Sequence, residues 1–145
     1  MNVELICDKL HISPEMIKLV FKVKGPNRVM LITDAMRAAG MPEGEYTLGG
    51  LSVHVGVDGA ARLTSNGALA GSPLLINTAL KNVVEVTGLP LAEAVKSTSL
   101  TAARSLGWTN FGRIEPGCVA DLAVLDDDYS VAMTVVDGEI CYQRG

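Results

Sequence analysis

The chain has 145 residues, 48% of them hydrophobic, and a formal charge of −4 at pH 7. That composition suits one modest domain and argues against disorder; without a Lys/Arg cluster, nucleic acid is not an expected partner. No apolar run approaches the ~18 residues needed to cross a bilayer, so no membrane contact is expected. The opening MNVELICDKLH lacks the basic and apolar regions of a signal peptide, and three scattered cysteines, Cys7, Cys118 and Cys141, suit a reducing, cytoplasmic setting. The chain enters the apolar run VELIC almost at once, which suggests a piece of a longer protein.

Residues 3 to 7 read as a short buried strand. Ser13-Pro14 starts a helix, with Ser as N-cap and Pro at the first helical position. Ile17, Val20 and Phe21 recur at i, i+3, i+4 as its buried face. Gly25-Pro26 stops the helix, and Val29 to Thr33 form the next buried strand. Strand, helix, strand is a βαβ unit, whose strands are normally parallel.

The period then changes. In LSVHVGVDGAARL, Leu51, Val53, Val55 and Val57 alternate with smaller or polar residues, and Asp58-Gly59 supplies a hairpin turn. An antiparallel ribbon over about 46–64 is expected, with His54 on its solvent side. After Asn66-Gly67 the helical period returns. Ser72-Pro73 is the expected cap of a helix whose Ile76, Ala79, Leu80 and Val83 face inward, ending at Thr87-Gly88. Pro90 opens a short helix, Thr98 to Leu106 continue helical, and from Gly117 the chain turns to strands, with Asp137-Gly138 making a second hairpin.

His11 follows the first strand and Asp34 the next, so parallel strands would present both at one edge of the sheet. Loops after strand C-termini line the ligand site in parallel α/β folds, and a partly desolvated carboxylate there can relay a proton. The plainer alternative makes Asp34 a cap and His11 an exposed loop residue. Asn66 to Pro73 is a weaker candidate, a Gly-bearing loop running into a helix start, where free N–H groups favour anions or sugar oxygens. There is no HxH, HExxH, GxSxG or GxGxxG, so no metal site with the usual His or Cys spacing is expected from these residues.

Taken in order, DKLHISPE, VMLITDAMRAAG, YTLGG–VHV–DG–ARL, GALAGSPLLINTALKNVV and FGRIEPGCVADLAVLD resemble the C-terminal part of the N-acetylglucosamine-6-phosphate deacetylase family of metal-dependent amidohydrolases. TDAM and LAGS carry the specificity, whereas Gly112 to Asp126 is a pattern common to the superfamily. The resemblance implies an α/β fold: residues 1–117 as the C-terminal part of a TIM (β/α)8 barrel with the hairpin inserted, and 118–145 as strands of a small β-sandwich. Residues 3 to 34 would hold the last two barrel strands.

It further implies that Asp34 is the catalytic acid–base. Asp8, Lys9, Leu10 and His11, the family's DGxH position, would bind substrate together with Leu69, Ala70 and Gly71. Lys9 stands where many members have Gly, and there it would add a positive charge near a phosphate; Thr101-Ala102-Ala103 replaces the commoner Asn-Pro-Ala. The implied substrate is N-acetylglucosamine 6-phosphate, the products glucosamine 6-phosphate and acetate. The implied cofactor is a divalent metal, Zn or Fe, in the complete enzyme, its ligands lying upstream and none in this chain. Family members are often dimers, so a homodimer is an expected partner state. Another amidohydrolase deacylase and a non-catalytic fragment that assembles with other chains remain the alternatives.

Overall fold

The computed structural model describes all 145 residues. Strand β1 (Val3–Ile6), helix α1 (Pro14–Lys24) and strand β2 (Val29–Ile32) form the expected βαβ unit. The two strands are parallel, in register from Val3↔Val29 to Ile6↔Ile32. Helix α1 starts where the sequence calls for it. Ser13 is extended, its hydroxyl accepts the Met16 N–H at 3.4 Å, and Pro14 follows in the first turn. Glu15 in the first turn and Lys22 and Lys24 in the last complement the helix dipole. Gly25 ends the helix at φ 71°, its N–H donating to the Phe21 carbonyl.

Ile17 and Phe21 are buried, and Val20 is half-buried. They pack with Leu5 and Cys7 of the first strand segment and with Val29 and Leu31 of β2. The core is closed by Leu80 and Val83 of helix α2 (Ile76–Thr87). Two buried hydroxyls, Ser97 and Thr101, donate to the Pro26 carbonyl at 3.1 and 2.9 Å and so anchor the turn into β2. The Thr101 departure from the family pattern thus supplies a hydrogen bond inside the fold.

The middle ribbon has three strands rather than a single hairpin, and it starts earlier than expected: β3 (Gly44–Leu48), β4 (Leu51–Val55) and β5 (Ala61–Leu63), all antiparallel. Gly49-Gly50, at φ 56° and 83°, makes the added tight turn. Val53 and Val55 are buried against Met36, Ala38 and Ala61. Leu51 and Val57 are not: they are 57% and 93% exposed. Leu51 sits at a hairpin tip and Val57 in a turn, beyond the packed stretch. His54 lies on the exposed face and meets Glu45 at 2.9 Å.

Helix α2 departs from expectation at its start. Leu75 holds the N-cap position without a side-chain bond, whereas the Ser72 hydroxyl accepts the Leu74 N–H at 2.9 Å. Ile76 points outward, 39% exposed, and Asn82 joins Ala79, Leu80 and Val83 on the buried side. Gly88, at φ 70°, closes the helix in the left-handed conformation. Helix α3 (Leu91–Ala94), a tight turn over Val95–Ser97 and helix α4 (Leu100–Ser105) follow. No helix is long and apolar enough to cross a membrane.

The final sheet, β6 (Leu122–Leu125), β7 (Val131–Val136) and β8 (Glu139–Gln143), is antiparallel in that order, with Asp137-Gly138 at its last turn. Leu125 and Tyr129 pack against the main core, and the Asn77 amide donates to the Tyr129 carbonyl at 3.0 Å. The approach to this sheet passes over α4 at Gly112. A Cβ there would stand 2.8 Å from the Leu100 Cα, and φ is 78°. Gly112→Ala is therefore expected to cost about 1–3 kcal/mol, the range for overpacking. An unchanged urea midpoint would contradict that contact.

Candidate functional site

Because β1 and β2 are parallel and aligned at Ile6↔Ile32, the chain leaves both strands at one edge. Residues 7–11 and 33–34 follow directly. Asp34 is exposed and adopts φ 49°, a left-handed conformation that Asp tolerates better than most residues. Its backbone, rather than its carboxylate, anchors it. The Asp34 carbonyl accepts the Ser72 N–H at 2.9 Å, and the Ser72 carbonyl accepts the Met36 N–H at 2.9 Å. This short parallel bridge, Ala35↔Ser72, explains why Ser72 is buried and does not cap α2.

The same bridge seats Gly71 against Asp34. A Cβ on Gly71 would lie 3.2 Å from the Met36 Cβ and 3.4 Å from the Asp34 carbonyl, at φ 64°. Leu69 and Ala70 reach this place through Ala70 N–H to Ala61 O, which ties the segment to β5. Two stretches set apart in sequence, residues 34–36 and 69–72, are thus joined by backbone hydrogen bonds at Ser72, with Gly71 packed against Asp34.

The segment after β1 is built around Asp8. One carboxylate oxygen accepts the N–H groups of Leu10 and His11, both at 2.9 Å, and the other lies 2.6 Å from His11 Nδ1. Asp8 and His11 side chains are only 8% and 20% exposed. Burial pushes the Asp8 carboxyl up, but the hydrogen bonds from the His11 backbone and ring and the Leu10 amide outweigh it, leaving it below the usual carboxylate range. Because the folded value is the lower one, this bonding stabilises the fold above the unfolded carboxyl pKa of about 3.9. The contribution is lost as pH falls through the folded value. Asp8→Asn should accordingly flatten the acid limb of a urea midpoint versus pH curve; an unaltered limb would contradict the assignment.

Lys9 also differs from expectation. It adopts φ 68°, which explains why Gly suits this position, and its ammonium pairs with Glu85 of α2 at 2.8 Å. That charge is engaged by a carboxylate rather than held free for a phosphate. Asn82, which the sequence reading missed, donates its amide to the Cys7 carbonyl at 2.8 Å and fixes the end of β1 to α2. A signal was present: Asn82 falls three residues after Ala79, in phase with the apolar face, where a polar residue needs a partner. Cys7 itself is buried, and burial followed by the nearby Asp8 charge pushes its thiol up to about 12, so it is no nucleophile.

A cleft of about 580 Å³ borders this segment, lined by Asp8, Leu10, Asn82, Glu43, Asp58 and Thr78 among others. His11, Asp34 and Leu69 to Gly71 do not line it. The sequence-predicted residues therefore fall into two groups, the 8–11 segment, of which Asp8 and Leu10 line the cleft, and Asp34 with the 69–71 segment. Nowhere do three His, Cys, Asp or Glu side chains converge to hold a metal. His11 Nδ1 is already committed to Asp8. These residues do not fit a metal centre by themselves.

An α/β chain with polar groups gathered at the carboxyl edge of parallel strands has the layout of a ligand-binding α/β protein. It belongs to the amidohydrolase family, whose model matches residues 11–141 and whose members are generally metal-dependent. It is 42% identical over 140 residues to an N-acetylglucosamine-6-phosphate deacetylase of Lysinibacillus sphaericus, covering 97% of this chain and 36% of that protein. It is 41% identical over 138 residues to an N-acetylgalactosamine-6-phosphate deacetylase of Escherichia coli O157:H7, covering 94% and 36%. The crystal structure of an N-acetylglucosamine-6-phosphate deacetylase from Thermotoga maritima matches with a TM-score of 0.90 at 45% identity, covering 99% of this chain and 39% of that one. The chain thus spans a little over a third of the length of these relatives.

Proposed function

We propose that residues 1–145 form the C-terminal portion of an N-acetylglucosamine-6-phosphate deacetylase, with Asp34 as its acid–base residue. The observation that carries this reading is the backbone bridge that seats Gly71 against Asp34 at the carboxyl edge of β2. On this reading β1 and β2 are the last strands of a (β/α)8 barrel. Residues 118–145 belong to a small β-sandwich, and the three-stranded ribbon is an insertion.

Amide hydrolysis sets the chemical demand. Water must lose a proton as its oxygen bonds to the acetyl carbon, and the amine must gain one as the C–N bond breaks, because an amine anion is a very poor leaving group. A single carboxylate can do both in turn, and such help is typically worth about 10²–10⁴-fold. Asp34 takes the proton from water and returns it to the sugar nitrogen, giving acetate and glucosamine 6-phosphate. Its exposed carboxylate, on a backbone held through its own carbonyl and the Met36 N–H to Ser72, suits a group that must meet both atoms. His11 and the 69–71 segment bind the sugar, where Gly71 allows close backbone approach.

The metal on which the family generally depends, Zn or Fe by expectation, would need ligands from residues other than these. The isolated chain is therefore expected not to release acetate. The 41% identity to the galactosamine-type relative supports N-acetylgalactosamine 6-phosphate as a second reading of the substrate. A chimera separates the two: the aligned stretch of the Lysinibacillus sphaericus enzyme is replaced by this chain and assayed on both sugars. Higher kcat/KM on N-acetylglucosamine 6-phosphate is expected. Preference for the galactosamine epimer would overturn the substrate, and a folded chimera silent on both would overturn the deacetylase reading.

A further inference from the structure

The residues that follow β1 divide into a group that meets ligand and a group that holds it in place. Asp8 falls in the second. Three of its acceptor positions are taken, two by the Leu10 and His11 amides and one by His11 Nδ1, and the side chain is 8% exposed. A carboxylate so occupied has little left for a substrate hydroxyl. At 2.6 Å the contact to Nδ1 is short, just under the ~2.7–2.9 Å of charge-assisted N–H···O bonds. An ionised carboxylate only accepts, so Nδ1 must donate.

We infer that Asp8 is a positioning residue that keeps the His11 proton on Nδ1 and turns Nε2 outward as the ring nitrogen available to ligand. The loop holding this pair is pinned at two further points on α2: Asn82 binds the Cys7 carbonyl at 2.8 Å, and Glu85 binds the Lys9 ammonium at 2.8 Å. Helix α2 thereby sets the position of the whole 7–11 segment, and Asp8 sets the ring within it. A partner on one imidazole nitrogen dictates which face the other presents. Only the identity of the ligand rests on the proposed deacetylase reading; the tautomer does not.

The chain has two histidines, so His54→Gln leaves His11 as the single imidazole. Its ring nitrogens can then be read directly by ¹⁵N NMR of the 145-residue chain, at a pH above the ordinary imidazole range of about 6.5. The expected spectrum has the proton on Nδ1. Asp8→Asn keeps an oxygen for the two backbone amides but offers an N–H to the ring, so the proton should move to Nε2. A His11 ring with unprotonated Nδ1 in the parent, or the same tautomer in a folded Asp8→Asn variant, overturns the inference. If Asp8→Asn does not fold, the parent spectrum alone decides.

In the chimera, Asp8→Asn should raise KM for N-acetylglucosamine 6-phosphate about 10-fold, the usual scale for one misdirected hydrogen bond to ligand, and more than it lowers kcat. A swapped tautomer with unchanged KM overturns the ligand-facing role. Inactivity of the parent chimera would instead count against the deacetylase reading.

Discussion

Asp34→Asn in the chimera is expected to lower kcat by about 10²–10⁴-fold, the usual worth of general acid–base catalysis. The substitution is nearly isosteric, and Asn accepts the left-handed conformation at φ 49° as readily as Asp. The bridge to Ser72 uses backbone atoms, so it survives. What is lost, on the proposed role, is the capacity to take a proton from water and deliver it to nitrogen. Substrate affinity should change far less than turnover, because the residues proposed to bind the sugar, His11 and the 69–71 segment, are untouched. Turnover at the parent level would remove Asp34 from the chemistry.

Phe21→Ala is expected to carry the largest stability loss, about 3–5 kcal/mol. Phe21 is buried where α1 meets both strands of the parallel pair and α2. Removing the ring forfeits its transfer free energy and leaves a cavity among branched side chains that relax only partly. The contrast is Val57→Ala, at a turn residue 93% exposed, which should stay within about 0.5 kcal/mol. Urea midpoints for the two variants provide the check. Equal midpoints would mean that the α1 interface is not the centre of the fold. Losing it would also disturb the site, since the same packing holds β1 and β2 in the alignment that brings residues 7–11 and 34 to one edge.

Much of that placement was legible in the residues. The i, i+3, i+4 apolar positions of α1, its Ser13-Pro14 start and its Gly25 stop are local signals, and all three correspond to observed features. So does the parallel pairing, because a helix between two short apolar runs leaves few other arrangements. What escaped was tertiary. Ser72 resembled a cap by its neighbour Pro73, yet its backbone pairs with residue 35, a contact no local pattern announces. Lys9 offers a spare positive charge in sequence, but in the fold it pairs with Glu85, 76 residues away. Leu51 and Val57 had the right alternation but fell outside the packed part of the ribbon. The cooperation of Asp8 with His11 also lay hidden, although they are three residues apart, because side-chain direction in an irregular loop has no period.

The most direct measurement is acetate release from N-acetylglucosamine 6-phosphate by the isolated 145-residue chain, with the chimera assayed beside it under the same divalent-metal supply. The expected result is turnover by the chimera and none by the chain, because Asp34 and His11 are present here but no three ligand side chains converge. Acetate release by the isolated chain would contradict the assignment of the remaining site to other residues. A folded chimera that binds the substrate yet releases no acetate would contradict the role given to Asp34 and its rim.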